Sequence, residues 1–184
     1  MNKKIRNKIG RMMFLREFRS HKQLNKLVDF NSAKSIGLVY DSTDEKNFEV
    51  IKKYVKDLRE IYKKDVLALG FYNGKELPAM RFSKLGLDFF TRKALNWHFK
   101  PVAPVVKNFT HKNFDILIDL HTGNSVPFKY IIAMTKAKFK IGRYERSSLP
   151  FYDFMISVEE NISLSRLIEQ VNHYLNMLKH EVAL

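Results

Sequence analysis

A chain of 184 residues with no cysteine, 45% hydrophobic and 13% aromatic, is long enough to bury one core without staples. Disulfides, thiol catalysis and Cys-ligated zinc are excluded, and no run approaches the roughly 18 apolar residues of a membrane span. The formal net charge of +14, from 33 basic and 19 acidic residues, points toward a polyanionic partner.

Residues 3–27 predict a helix, with Ile5, Ile9 and Met12 at i, i+4, i+7 spacing among basic residues. Gly10 weakens it by about 1 kcal/mol relative to Ala. Its longest uncharged apolar run, Met12 to Leu15, is too short for a signal peptide, so a cytoplasmic protein is expected. A strand is predicted at 34–40. Ser42-Thr43-Asp44-Glu45 reads as a capping box opening a helix to about residue 63. A second strand spans 65–72 and breaks at Asn73-Gly74. The stretch 75–112 reads least clearly; residues 83–99 predict helix in places, and Pro101 and Pro104 interrupt the remainder. The third strand, 114–120, is the clearest. A helix over 126–136 carries Pro127 in its first turn, short strands come next at 139–141 and 154–158, and a last helix runs from Ser163 to about His180.

Short apolar strands alternating with helices predict an α/β fold: a three-layer Rossmann-like domain with a mainly parallel sheet, residues 32–184. A basic helical arm, residues 1–31, precedes it, and the domain is expected to fold without that arm.

Charge is clustered. Residues 1–30 carry nine basic and two acidic side chains, 81–112 seven and one, and 129–146 six and one. Clustered cations gain free energy by releasing counterions from phosphates. Lys3, Lys4, Arg6, Lys8, Arg11, Arg16 and Arg19 are therefore candidate RNA contacts, with Lys129, Lys136, Lys138, Lys140, Arg143 and Arg146 as a second patch. Phe151 to Phe154, close to Arg143 and Arg146, is the better base-stacking candidate, and Trp97 reads as packing.

One loop sits where parallel sheets bind ligands, beyond a strand's carboxyl end. It comprises Asp119, His121, Thr122, Gly123, Asn124 and Ser125. A strand-to-helix turn needs such residues for structure alone, with Asn124 or Ser125 as N-cap. Asp41, Asp44 and Glu45 could hold Mg²⁺ but read better as a helix start. No catalytic triad, G-x-S-x-G turn or histidine metal spacing is found. No catalytic residue, metal or cofactor is expected.

Residues 114–144, Phe-Asp-Ile-Leu-Ile-Asp-Leu-His-Thr-Gly-Asn through Ile141-Gly142-Arg143-Tyr144, resemble the acceptor-side half of heptosyltransferase-like glycosyltransferases. The matching positions are Asp119, Gly123, Asn124, Ile141 and Gly142. Those enzymes hold a sugar nucleotide in a second α/β domain, for which this chain has no room. The whole chain also resembles small basic proteins of unknown function from Bacteroidota, which implies a lineage-specific ribosomal protein. The leading expectation is a structural, non-enzymatic RNA-binding protein contacting rRNA and ribosomal proteins. The alternatives are a sugar- or nucleotide-binding domain using Asp119 to Ser125, and a peripheral membrane protein whose arm lies on anionic lipid.

Overall fold

The computed structural model describes residues 3–19, 27–79, 81 and 86–178. Six short segments pair into one sheet: β1 (Ser35–Asp41), β2 (Asp65–Tyr72), β3 (Leu87–Thr91), β4 (Phe114–Asp119), β5 (Ala137–Arg143) and β6 (Phe154–Ile156). Their order is β3-β2-β1-β4-β5-β6, and every neighbouring pair is parallel. The central strands are covered on both faces, which is why Ile36 to Tyr40 and Ile116 to Ile118 read as continuous apolar runs.

Helices α2 (Glu45–Glu60) and α5 (Leu164–Met177) pack on one face, where Ile51, Val55 and Leu58 share a core with Leu167, Val171 and Leu175. Helices α3 (Pro104–His111) and α4 (Val126–Met134) pack on the other. The chain is thus an α/β protein with a Rossmann-like three-layer arrangement and an N-terminal helix, α1 (Lys3–Glu17).

Three local expectations change. Asp44, not Ser42, caps α2: its carboxylate accepts the Asn47 N–H at 2.9 Å, and Ser42 is wholly buried. Within 83–99, where helix was expected in places, strand β3 occupies Leu87–Thr91 and the described helical part is one 3-10 turn, Arg92–Ala94. Phe89 packs 5.7 Å from Phe48 in one core and Phe90 4.9 Å from Phe71 in the other, as the two-residue period of a strand requires. Pro104 opens α3 in its first turn instead of interrupting it.

Helix α4 is apolar nearly all round, with Val126, Phe128, Tyr130, Ile131, Ile132 and Ala133 buried. A helix of that kind must be covered on both sides. The sheet covers one side and α1 the other. Phe14 is 2% exposed; its ring lies 5.1 Å edge-on to Tyr130 and 5.0 Å from Phe151. Phe18 meets the same two rings at 6.0 Å. The docking stripe is therefore Gly10, Phe14 and Phe18 at i, i+4 spacing. The Ile5–Ile9–Met12 set does not dock as a stripe, since Ile5 and Met12 are exposed. Gly10 marks the closest approach: a Cβ there would stand 2.6 Å from the His98 carbonyl oxygen and 3.3 Å from Val126 Cγ1. Helix α1 docks on the second core through Gly10, Phe14 and Phe18, although the sequence sets residues 1–31 apart as an arm.

Phe14→Ala is expected to lower stability by about 3–5 kcal/mol in urea unfolding. Gly10→Ala, which would strengthen an isolated helix by about 1 kcal/mol, is expected to lower it too, because the added methyl group pushes α1 off His98. A chain starting at Ser32 is expected to be molten or insoluble; a cooperative transition at the full chain's midpoint would show that α1 is dispensable.

Candidate functional site

Asp119 ends β4 and is buried. The Tyr152 hydroxyl donates to its Oδ2 at 2.6 Å and the His121 backbone N–H to its Oδ1 at 2.9 Å. Burial pushes the Asp119 carboxyl up to about 6 despite these donors. Tyr152 reaches Asp119 by crossing β5 at Gly142, where a Cβ would lie 2.6 Å from Tyr152 Cε1 and 3.1 Å from Asp119 Cβ; only glycine leaves that path open. Burial, then the Asp119 charge, raises the Tyr152 phenol well above its ordinary value. The His121 ring lies flat on Phe128, centroids 3.9 Å apart and planes 14° apart. Burial, then Arg143, lowers its pKa to about 3, so the ring is neutral at pH 7.

Hydrogen bonds among the lining side chains narrow the cleft around this group. Glu145 accepts from Lys129 Nζ at 2.5 Å, Asn124 Nδ2 at 2.8 Å and Ser147 Oγ at 2.6 Å. Burial alone would raise its pKa, but the Lys129 and serine hydrogen bonds hold it below the ordinary value. Arg143 Nη2 donates to the Gly123 carbonyl at 3.2 Å. The remaining volume is about 20 Å³, room for about one water, whereas small-molecule sites run to about 300–1,000 Å³. Asp119, His121, Gly123 and Ser125 line the cleft. Thr122 and Asn124 do not; Asn124 also accepts from Arg11 Nη2 at 3.1 Å. Ser125 holds the N-cap position of α4 without a side-chain hydrogen bond. Sequence alone does not join Tyr152, Glu145 and Lys129 to this loop; the one signal it holds is Gly142, a glycine inside a buried strand.

Among the described residues no group of three or more His, Asp or Glu could hold a metal. Asp41 accepts the Thr43 N–H at 2.8 Å and Glu45 pairs with Arg81 at 2.6 Å, so with Asp44 as cap the acidic segment serves the helix start.

The predicted cations divide. Lys4, Lys8, Arg11, Arg16 and Arg19 are exposed on α1 and the turn after it, and Lys136, Lys138 and Arg146 are exposed on the domain. The Lys3 side chain lies outside the described ones. Arg6 is an anchor: Nε donates to the Trp97 carbonyl at 2.6 Å, Nη2 to that of Asn96 at 3.1 Å, and the guanidinium lies 4.1 Å over Phe99. Two assignments are corrected. Lys140 is buried, with Nζ donating to the Ile132 carbonyl at 2.8 Å and burial lowering its pKa to about 8. Lys129 is nearly buried against Glu145. The second patch also splits, because β5 sets Lys136 and Arg143 roughly 20 Å apart at about 3.3 Å per residue. Arg143 stays beside the 123–125 loop, bonded to the Gly123 carbonyl, while Lys138 pairs with Asp115 at 2.7 Å. The aromatic assignments reverse: Phe151 is buried, Tyr152 is bonded to Asp119, and Trp97 is 56% exposed.

Fold and site together define a doubly wound α/β protein whose strand-end cleft is narrowed by its own side chains and whose added N-terminal helix exposes Lys4, Lys8, Arg11 and Arg16. The chain belongs to the family of unknown function DUF6913, whose model matches residues 6–178. No curated protein matches it, and no solved structure does.

Asp119 and His121 oppose each other in acid. Asp119, ordinarily 3.8 and about 6 when folded, takes up its proton first in the folded chain. Its contribution is present below 3.8 and lost as pH rises through 6. His121, ordinarily 6.5 and about 3 when folded, is protonated first in the unfolded chain. Its contribution is present above 6.5 and lost as pH falls toward 3. Between these limits, Asp119→Asn is expected to steepen the fall of the urea midpoint with acidification and His121→Gln to flatten it. Parallel profiles for both variants and the parent would remove the assigned burial.

Proposed function

We propose that this protein binds RNA through the outer face of α1, continued by Arg143 and Arg146, as a structural component of a cytoplasmic ribonucleoprotein, most naturally the ribosome. One observation carries the reading. Helix α1 is fixed to the domain by Gly10 and Phe14, yet turns Lys4, Lys8, Arg11, Arg16 and the adjoining Arg19 outward. Its sole carboxylate, Glu17, is taken by Lys100 Nζ at 2.5 Å. A rigid row of cations without interleaved carboxylates suits a phosphate backbone, whose condensed counterions it releases. The α2 surface is different: Lys52 pairs with Glu49 and Lys56 with Glu60, and those carboxylates repel phosphate. The loop 119–125 then acts in folding, holding α1 through Asn124, and no catalytic step is assigned to it.

Each phosphate contact contributes about 0.7–0.9 to the slope of log K against log salt. Replacing Lys8, Arg11, Arg16 and Arg19 by Gln is expected to lower that slope by about 3. The same change at Lys46, Lys52, Lys53 and Lys56 on α2 removes equal charge and is expected to do little. Equal losses would leave net charge as the only determinant and remove the α1 face. No loss in either would remove RNA. Sedimentation of tagged protein with ribosomal particles, abolished by ribonuclease, tests the ribosomal assignment.

A further inference from the structure

Trp97 is the chain's single tryptophan and is more than half exposed. Lone exposed apolar side chains are ordinary; the framework beneath this one is not. It stands in the loop 95–101, whose ends form a Leu95–Pro101 bridge. Asn96 Oδ1 accepts the N–H groups of His98 at 3.1 Å and Lys100 at 2.9 Å, and the Asn96 N–H donates to the Lys100 carbonyl at 3.0 Å. Phe99 is held at φ +68°, a left-handed conformation that a bulky side chain adopts only where its surroundings over-determine it. Helix α1 supplies part of that framework, since Arg6 bonds the carbonyls of Trp97 and Asn96 and lies over Phe99. The His98 ring buttresses the indole edge-on at 5.0 Å. A rigid, strained loop thus holds a large flat ring in solvent, on the flank of the helix that carries the exposed cations.

Resting on the RNA reading, we propose that Trp97 is a stacking platform for an unpaired base, so that the partner is single-stranded or loop RNA and not continuous duplex. Bases in a duplex are stacked on each other and present no face to an indole; a splayed base does, while its flanking phosphates meet the cations of α1. Preorganisation in the loop spares the indole the ordering that a mobile ring would undergo on binding.

The test uses the full chain and two probes, oligouridine of about 12 nucleotides and an RNA duplex of about 12 base pairs, within the span that single-strand sites occupy. Oligouridine is expected to quench Trp97 fluorescence on binding, and the duplex is not. Trp97→Leu is expected to weaken oligouridine binding by between about fivefold and about 150-fold, the range set by one base–aromatic stack, with the salt slope unchanged; Trp97→Phe keeps most of the affinity. If oligouridine binds with the α1-dependent salt slope but leaves the fluorescence unchanged, and Trp97→Leu binds like the parent, stacking is overturned and the RNA reading stands. If neither probe binds at low salt, both fall together.

Discussion

The structure depends on a helix with no polar side to spare. α4 buries Phe128 and Ile131 toward the sheet layer and Tyr130 toward α1, so the three-layer sandwich alone leaves it incompletely covered. The cover comes from the chain's most basic segment, which could not hold itself as a helix: isolated helices of this length are marginal in water. Phe14 and Gly10 settle the exchange, one filling the space between Tyr130 and Phe151, the other letting the backbones approach. Once α1 is seated, successive residues reach different loops. Gly10 meets His98 and Arg11 meets Asn124, because neighbouring helical positions point about 100° apart. One packing requirement thus orders both the loop bearing Trp97 and the loop after β4.

Net charge overstates what this molecule offers a polyanion. Lys140 and Lys64 are buried and donate to main-chain carbonyls, Lys64 to Ala33 at 2.6 Å and Asn31 at 2.9 Å. Arg81 is buried between the rings of Phe48 and Tyr72, bonded to the Ser42 carbonyl and to Glu45. These cations satisfy carbonyls in the last turn of α4, after β1 and in the turn before β1, and the hydrogen bonds are what their burial requires. Lys140 is the plainest case: one of six cations in a run of eighteen residues, it shares a face of β5 with the exposed Lys138 but lies deeper in the sheet, under α4, whose Ile132 carbonyl takes its ammonium.

Period and turn chemistry carry most of the fold. Strands at 35–41, 65–72 and 114–119 are long enough, and apolar enough, to be read without a partner. β3 is not legible because its alternation spans only Leu87 to Thr91, and its two phenylalanines serve opposite cores. Phe14 is hidden for a different reason: among Met12, Met13, Leu15 and Phe18 any of several stripes fits a helix, and the choice is made by α4, more than a hundred residues away. The deciding clue lies in α4 itself, whose Val-Pro-Phe-Lys-Tyr-Ile-Ile-Ala-Met has too many apolar positions for one buried face. Trp97 reads as packing because sequence shows its aromatic neighbours but not the Asn96 hydrogen bonds that turn it outward.

The strand order β3-β2-β1-β4-β5-β6 is the one in which dinucleotide-binding proteins hold their ligand, in the crevice between the first and fourth strands. That crevice serves such ligands because backbone N–H groups past the strands and at the following helix point at phosphate. Here those donors are engaged. The Ser42 N–H donates to the Phe71 carbonyl at 2.9 Å and the Leu120 N–H to that of Val39 at 2.8 Å. Asp44 places its own carboxylate at the N-terminus of α2, where a phosphate would stand, and Asp119 takes the His121 N–H. The fold's customary anion site is filled from within by aspartates, so fold likeness carries no ligand over to this chain. Anion recognition, if the cations of α1 perform it, has moved from main-chain donors at the strand ends to side chains on an added helix. Those side chains suit an extended polyanion, which many separate phosphates hold in place, better than a single nucleotide, which a few fixed donors must define.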